Sequence, residues 1–285
     1  MHTLVLSITF SVAVSIFLKL ARRHAIQIEQ AIVVNYATAA ALCLWLLHPP
    51  LDSLLDQPAA AWWILGLLGV LLPGVFLIMA AAVRQAGIVR SDTAQRLSLI
   101  LPILAAFFIF QETLSGTKAA GVGLALCALA CLLARPRAAT DTGTPTEGRG
   151  WRVLLGVWAG YGCIDILFKQ MSRIGAGFTG SLLLSFVLAG LLLALWLLAR
   201  GTRWQGRSLM SGLLLGCLNF GNIYCYIRAH QTFPDNPTLV FAAMNIGVIS
   251  LGTLIGAGLF RERLSALNIL GIVLALGAIV LLFPR

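Results

Sequence analysis

Charge is scarce in this sequence. Lys, Arg, Asp and Glu make up 11% of 285 residues, and only 10 of them are acidic. Hydrophobic residues account for 59%, and the mean hydropathy is +0.93. A water-soluble fold of this length needs far more polar surface, so a soluble globular protein is excluded and the solvent is lipid. Several chemical signatures are also missing. No glycine-rich nucleotide loop is present, so ATP hydrolysis is not the expected energy source. There is no HExxH, and His2, His24, His48 and His230 fall at the ends of apolar runs, which leaves metal-assisted hydrolysis without ligands. Asp165 has no carboxylate partner at its depth for an aspartyl dyad. An enzyme is therefore not expected, nor any catalytic residue, cofactor or metal site. None of the six cysteines forms a CxxC pair and all lie in apolar stretches, as expected of reduced packing residues. The start Met1-His2-Thr3 has no basic n-region, so the first apolar segment is expected to stay in place.

What the sequence has is apolar runs long enough to span a bilayer. They lie near 3–21, 28–47, 61–83, 92–111 and 117–134, then near 152–171, 179–200, 208–228, 238–260 and 266–283. Between the two sets, residues 135–151 carry Pro136, Asp141, Pro145 and Glu147 and read as a linker. The expected fold is an all-α integral membrane protein of ten transmembrane helices.

The two sets repeat each other without a gap at an offset of 150 residues. Phe110-Gln111-Glu112-Thr113-Leu114-Ser115 falls on Phe260-Arg261-Glu262-Arg263-Leu264-Ser265, and Lys19 falls on Lys169, Arg23 on Arg173, Gly66 on Gly216, Gln95 on Asn245 and Gly121 on Gly271. Shared Leu and Ala composition does not align rare Glu with Glu and Lys with Lys, so duplication is the better reading. The repeats are 3–134 and 152–283. Five spans per repeat is an odd number, which makes the second copy enter the membrane inverted.

Loops following the odd-numbered runs hold 15 of the 20 basic residues, among them Arg22, Arg90, Arg149, Arg200, Arg203, Arg207 and Arg261. The loop 49–60 has Asp52 and Asp56 and no basic residue. By the positive-inside bias, both termini face away from the cytoplasm.

A Phe-x-Glu-x-Leu-Ser turn before the last helix of each half, with Gly121 or Gly271 six residues after its Ser, resembles the EamA-type transporters of the drug/metabolite transporter superfamily. The resemblance covers nearly the whole chain. It implies a ten-helix inverted-repeat carrier working by alternating access, usually exporting amino acids, other metabolites or drugs, and often driven by protons or exchange. It also implies termini in the cytoplasm, opposite to the charge count. The motif has a structural reading that needs no substrate: Ser115 and Ser265 stand where N-caps belong, and Glu112 and Glu262 put carboxylates near a helix N-terminus. Gly121 with Ala125 and Gly271 with Ala275 are small pairs suited to close helix packing.

Polar side chains inside the spans are the default site candidates, because each is costly in hydrocarbon unless paired or wetted. Ser7, Ser11, Ser15 and Lys19 form one stripe, and Tyr161, Asp165 and Lys169 repeat it. Asp165 and Lys169 are i,i+4 neighbours, readable as an intrahelical ion pair or as a titrating coupling site. Asn219, Asn222 and Tyr226 share a face between Gly216, Gly221 and Arg228; Asn35, Tyr36, Asn245 and Arg96 add further hydrogen-bonding groups. These residues read as the lining of a solute cavity or as interhelical hydrogen bonds, and Arg96 either attracts a carboxylate or phosphate or snorkels. Pro102 removes a backbone bond from the fourth run.

The expected function is secondary active transport, in the export direction, of a small polar or amphipathic metabolite or drug. The alternatives are translocation of a lipid or lipid carrier, and a membrane receptor or assembly factor without transport. The expected partners are the solute, with or without a coupled proton, and the lipid bilayer of a bacterial cytoplasmic membrane; a homodimer is compatible, and nucleic acid is not expected. A reporter fused after Arg285 tests the charge count. It should signal only outside the cytoplasm, and a fusion that folds and signals only inside would restore the topology the resemblance implies.

Overall fold

The computed structural model describes residues 2–24, 26–53, 59–86, 88–113, 115–133, 150–173, 178–260 and 266–282. Glu262, Ser265 and the linker residues 135–149 lie outside them. All regular structure among the described residues is helical. In chain order the α-helices are α1 (His2–Arg23), α2 (Ile28–Leu42), α3 (Ala59–Ala86), α4 (Ile88–Leu97), α5 (Ile100–Phe108), α6 (Gly116–Leu133), α7 (Gly150–Arg173), α8 (Phe178–Ala199), α9 (Gly206–Thr232), α10 (Pro237–Phe260) and α11 (Ala266–Leu282). A π-helical turn, Cys43–Leu47, extends α2.

Six helical segments are long and apolar enough to cross a membrane: Ile28–Leu47, Ala61–Met79, Gly150–Arg173, Phe178–Ala199, Gly206–Thr232 and Pro237–Ile255. Shorter apolar helices cover His2–Leu18, Thr93–Phe108, Gly116–Cys131 and Ile269–Leu282. Large apolar side chains such as Trp63, Phe108, Met210 and Val280 are exposed, an outer surface that suits lipid and not water. The protein is thus an all-helical, multi-pass membrane protein.

The run expected near 92–111 is not one helix. It divides at Ser98-Leu99 into α4 and α5. Pro102 has no N–H to give the Ser98 carbonyl, which accepts from Leu101 N–H instead at 3.0 Å. The Ser98 hydroxyl also donates to the Gln95 carbonyl at 2.5 Å, a side-chain bond that competes with helix propagation. The chain therefore breaks ahead of the proline, leaving Pro102 in the first turn of α5, where a missing donor costs nothing.

The chain packs as two compact units, and each draws on both sequence halves. Unit 1 is Ile78–Ile166 with Thr232–Arg285; unit 2 is His2–Leu77 with Leu167–Gln231. In unit 1, α6 packs on α11, and α10 packs on α5, α6 and α11. Ala125, Ala128, Ala275 and Ala278 are buried. A Cβ built on Gly121 would stand 2.8 Å from the Leu282 side chain, and one on Gly277 would stand 3.1 Å from Leu124. Small residues here set the helix separation, as dispersion-driven packing in lipid requires.

In unit 2, α2 lies against α8, with the Tyr36 Cβ 3.2 Å from where a Cβ on Gly190 would be. The approach of α9 to α2 is closer still. A Cβ on Gly212 would meet the Ala31 carbonyl oxygen at 2.5 Å, and one on Gly216 would meet the Asn35 carbonyl oxygen at 2.8 Å. Backbone cannot retreat as a flexible side chain can. Gly212→Ala should therefore destabilise the protein by about 1–3 kcal/mol, whereas Gly66→Ala, with open space around it, should be neutral or stabilising by up to about 1 kcal/mol. Thermal unfolding of both variants in detergent checks the contrast.

Candidate functional site

The glycine contact brings polar side chains of three helices together in unit 2. Beyond Gly212 and Gly216, the same face of α9 presents Asn219, whose side-chain amide meets that of the buried Asn35 at 3.1 Å. In the orientation that satisfies its surroundings, the Asn35 amide donates to the Leu215 carbonyl and accepts from Tyr36 N–H, both at 3.3 Å. One turn on, Asn222 turns to α1. The Ser7 hydroxyl lies 2.9 Å from Asn222 Oδ1 and 3.0 Å from its carbonyl oxygen, and donates to them. Phe10 of α1 reaches the position a Cβ on Gly221 would take, at 2.9 Å.

Further along α9, the Tyr226 ring meets His230 edge to face at 4.9 Å and Phe168 of α7 at 6.2 Å between centroids. Lys169, beside Phe168, is 1% exposed, and His230 is fully buried. Tyr36 is also buried, its ring 6.4 Å from Phe186, and the aromatic chain continues through Phe220, Tyr224 and Phe178. Amides, which both donate and accept, and phenols held between aromatic walls can take up a solute with mixed polar and apolar surface.

Asn35, Tyr36, Asn219, Asn222, Tyr226 and Lys169 thus belong to unit 2. Arg96, Asp165 and Asn245 belong to unit 1. Asn245 donates to the Phe241 carbonyl of its own helix at 3.1 Å; Arg96 stands half-buried in the last turn of α4, and Asp165 half-buried in α7, one turn before Lys169.

The Phe-x-Glu-x-Leu-Ser turn is also built in unit 1. Phe110 packs on Phe241, rings 6.5 Å apart. Gln111 adopts a left-handed backbone, φ 55°, and the chain doubles back so that Glu112 N–H donates to the Ala106 carbonyl at 2.9 Å. The Glu112 carboxylate accepts from Thr238 N–H at 3.1 Å and Thr238 Oγ1 at 2.6 Å, and its second oxygen lies 3.0 Å from Lys118 Nζ. The helix N-terminus it serves is that of α10 and not the adjoining α6. Ser115 caps α6, accepting from Lys118 N–H at 3.2 Å.

Three buried residues were not singled out in the sequence. Gln30 opens a helix and looks solvated, yet it is buried; its distance of three from Gln27 was the available signal. His230 looks like a helix-end histidine and is fully enclosed. Thr238, directly after a proline, has the residue type and place of a helix start. Among the described residues no cluster of three or more His, Cys, Asp or Glu could hold a metal ion.

No family model matches the sequence. An uncharacterized protein of Haemophilus influenzae is 51% identical over 288 residues, spanning 99% of this chain and 98% of that protein. The chain belongs to the family of that protein. A crystal structure at 16% identity superposes over 98% of this chain and 94% of its own with a TM-score of 0.74, which shows a shared fold.

If the Ser7 to Asn222 bond couples α1 to α9, Ser7→Ala and Asn222→Ala should each destabilise by about 1 kcal/mol and the double variant by less than their sum. Unfolding of the four proteins in one detergent reads the coupling, and strict additivity would remove the bond from any structural account.

Proposed function

We propose that this protein is a secondary active transporter, an exporter of a small polar or amphipathic metabolite or drug, and that it belongs to the EamA type of the drug/metabolite transporter superfamily. The observation that carries the reading is the amide and phenol seam of unit 2. Asn35, Asn219, Asn222, Tyr226, Lys169 and His230 lie in or beside helices apolar enough to span a bilayer, and such residues are kept in hydrocarbon chiefly where a solute or ion must pass. A solute offering its own donors and acceptors can exchange them for the Asn35–Asn219 and Ser7–Asn222 contacts with little net loss of hydrogen bonding.

Two sets of loop contacts support ten crossings in two inverted repeats. Gln30, in the first turn of α2 where the second run begins, accepts at 2.8 Å from the N–H of Gln205, in the connection after the seventh run. Glu112, in the connection after the fourth run, accepts from Thr238, in the first turn of α10 where the ninth run begins. Odd connections meet odd ones and even meet even, the pairing that one crossing per run requires. The packing of α6 on α11, the fifth helix of each repeat, fits the same symmetry. Arg96 and Asn245 are assigned to the solute as well, and Asp165 with Lys169 to proton coupling, in the cytoplasmic membrane of a bacterium.

Uptake of labelled metabolites into proteoliposomes, with and without an imposed pH gradient, tests the proposal. Gradient-driven accumulation is expected for at least one polar metabolite, and Asp165→Asn should abolish the dependence on the gradient. Gradient-driven transport that survives Asp165→Asn unchanged would take coupling away from Asp165, and movement of lipid alone would replace the solute with a lipid cargo.

A further inference from the structure

From Asp165 to Asp235 the sequence has no acidic residue between them, while Lys169, Arg173, Arg200, Arg203, Arg207 and Arg228 all fall inside that interval. Three of these, Arg200, Arg203 and Arg207, are exposed and crowd the short connection from α8 to α9, with Trp204 exposed among them. The connection is rigid for identifiable reasons. Gly201, with φ 62°, ends α8 in a left-handed residue. Around it Gly201 N–H donates to the Leu198 carbonyl at 2.9 Å and Thr202 N–H to the Leu197 carbonyl at 3.2 Å, the paired bonds of a Schellman cap.

Gln30 of α2 holds the rest. Its amide nitrogen donates to the Arg203 carbonyl at 2.8 Å and to Gln27 Oε1, and its oxygen accepts from Gln205 N–H at 2.8 Å. Gln27 N–H donates to Ser208 Oγ at 3.0 Å. The backbone that carries the arginines is thereby fixed from both sides. The Arg200 guanidinium lies 3.9 Å from the Trp196 ring centroid, a cation–π contact that orients it without neutralising it.

The depth of this connection follows from helix length. The 22 residues of α8 rise about 33 Å at 1.5 Å each, close to the hydrocarbon thickness of a bilayer. Its end and the following loop therefore stand at the headgroup level, where tryptophan rings are favoured. Among the described residues of unit 2 the carboxylates are Glu29, beside Gln30, and Asp52, two acids against the three guanidinium groups of this connection alone. Planar guanidinium forks match phosphate oxygens, and a cationic cluster at this depth attracts anionic headgroups.

We infer that the α8–α9 connection is a binding site for the headgroup phosphate of an anionic phospholipid, held by Arg200, Arg203 and Arg207 between Trp196 and Trp204. The inference does not depend on what the protein transports. The site is independent of the α9 amide seam, so lipid is a ligand here and not a cargo.

The test uses the full-length protein in detergent with added phosphatidylglycerol, phosphatidylcholine or inorganic phosphate, reading lipid adducts by native mass spectrometry and the shift in unfolding temperature. Phosphatidylglycerol should bind and stabilise, and phosphatidylcholine and inorganic phosphate should do neither at the same concentration. At about fivefold per arginine, the combined R200Q, R203Q and R207Q protein should bind phosphatidylglycerol about a hundredfold more weakly. Arg228→Gln, at the far end of α9, should bind it as wild type. Should the triple variant not fold, the single variants Arg200→Gln and Arg207→Gln, whose guanidinium groups hold no loop backbone bond, should each show the fivefold loss. The proposal is overturned if these variants bind phosphatidylglycerol within twofold of wild type, if phosphatidylcholine binds equally well, or if inorganic phosphate stabilises the protein to the same extent.

Discussion

The contact on which unit 2 depends is the one between the backbones of α2 and α9 at Gly212 and Gly216. With the Ala31 and Asn35 carbonyls lying where any Cβ would go, the two helices come closer than leucine-faced helices can. The Asn35 and Asn219 amides, one turn further on, reach each other only because of that approach. Spacing the helices apart by the thickness of a methyl group would carry the Asn35 amide beyond hydrogen-bonding distance of the Leu215 carbonyl and leave polar groups unsatisfied in hydrocarbon. Gln30 closes the same interface at its end.

Unit 1 solves a similar problem by a different route. Its buried polar anchor is a carboxylate, Glu112, placed at a helix end. There the N-terminus of α10 supplies donors and positive potential, and Lys118 supplies the opposite charge. A carboxylate is tolerated there because three partners converge on it, whereas mid-helix positions in unit 2 use neutral amides met by backbone groups and the Ser7 hydroxyl.

Much of the helical layout was legible in the sequence, because lipid demands long apolar runs and leaves few other solutions. The run at 28–47 became α2 with its π turn, and those at 179–200 and 208–228 became α8 and α9, with boundaries shifted by a few residues. The break at Ser98-Leu99 was legible in kind, through Pro102, but not in place, since the proline acts on the carbonyl four residues before it. At the site, spacing put Asn219, Asn222 and Tyr226 on one face of α9, and they do share one. Spacing does not say what stands opposite. Asn219 meets α2, Asn222 meets α1 and Tyr226 meets Phe168 and His230. Gln30 and His230 were illegible for one reason: a polar residue at a helix end is solvated by default, and only tertiary packing encloses it. For Glu112 the sequence pointed to a helix N-terminus without saying which, because the turn at Gln111 sends the carboxylate to a segment 126 residues away.

The polar contacts of unit 2 also join segments made at very different times. Ser7 and Asn222 are 215 residues apart, and Gln30 and Arg203 are 173 apart. At a synthesis rate of about 5–20 residues per second, α1 and α2 wait roughly ten to forty seconds in the membrane before α9 follows. Throughout that interval Ser7 awaits Asn222, Asn35 awaits the Leu215 carbonyl, and Gln30 awaits Arg203 and Gln205. Nascent α1 and α2 must therefore be sheltered, by the insertion machinery or by one another, until the second half of the chain arrives.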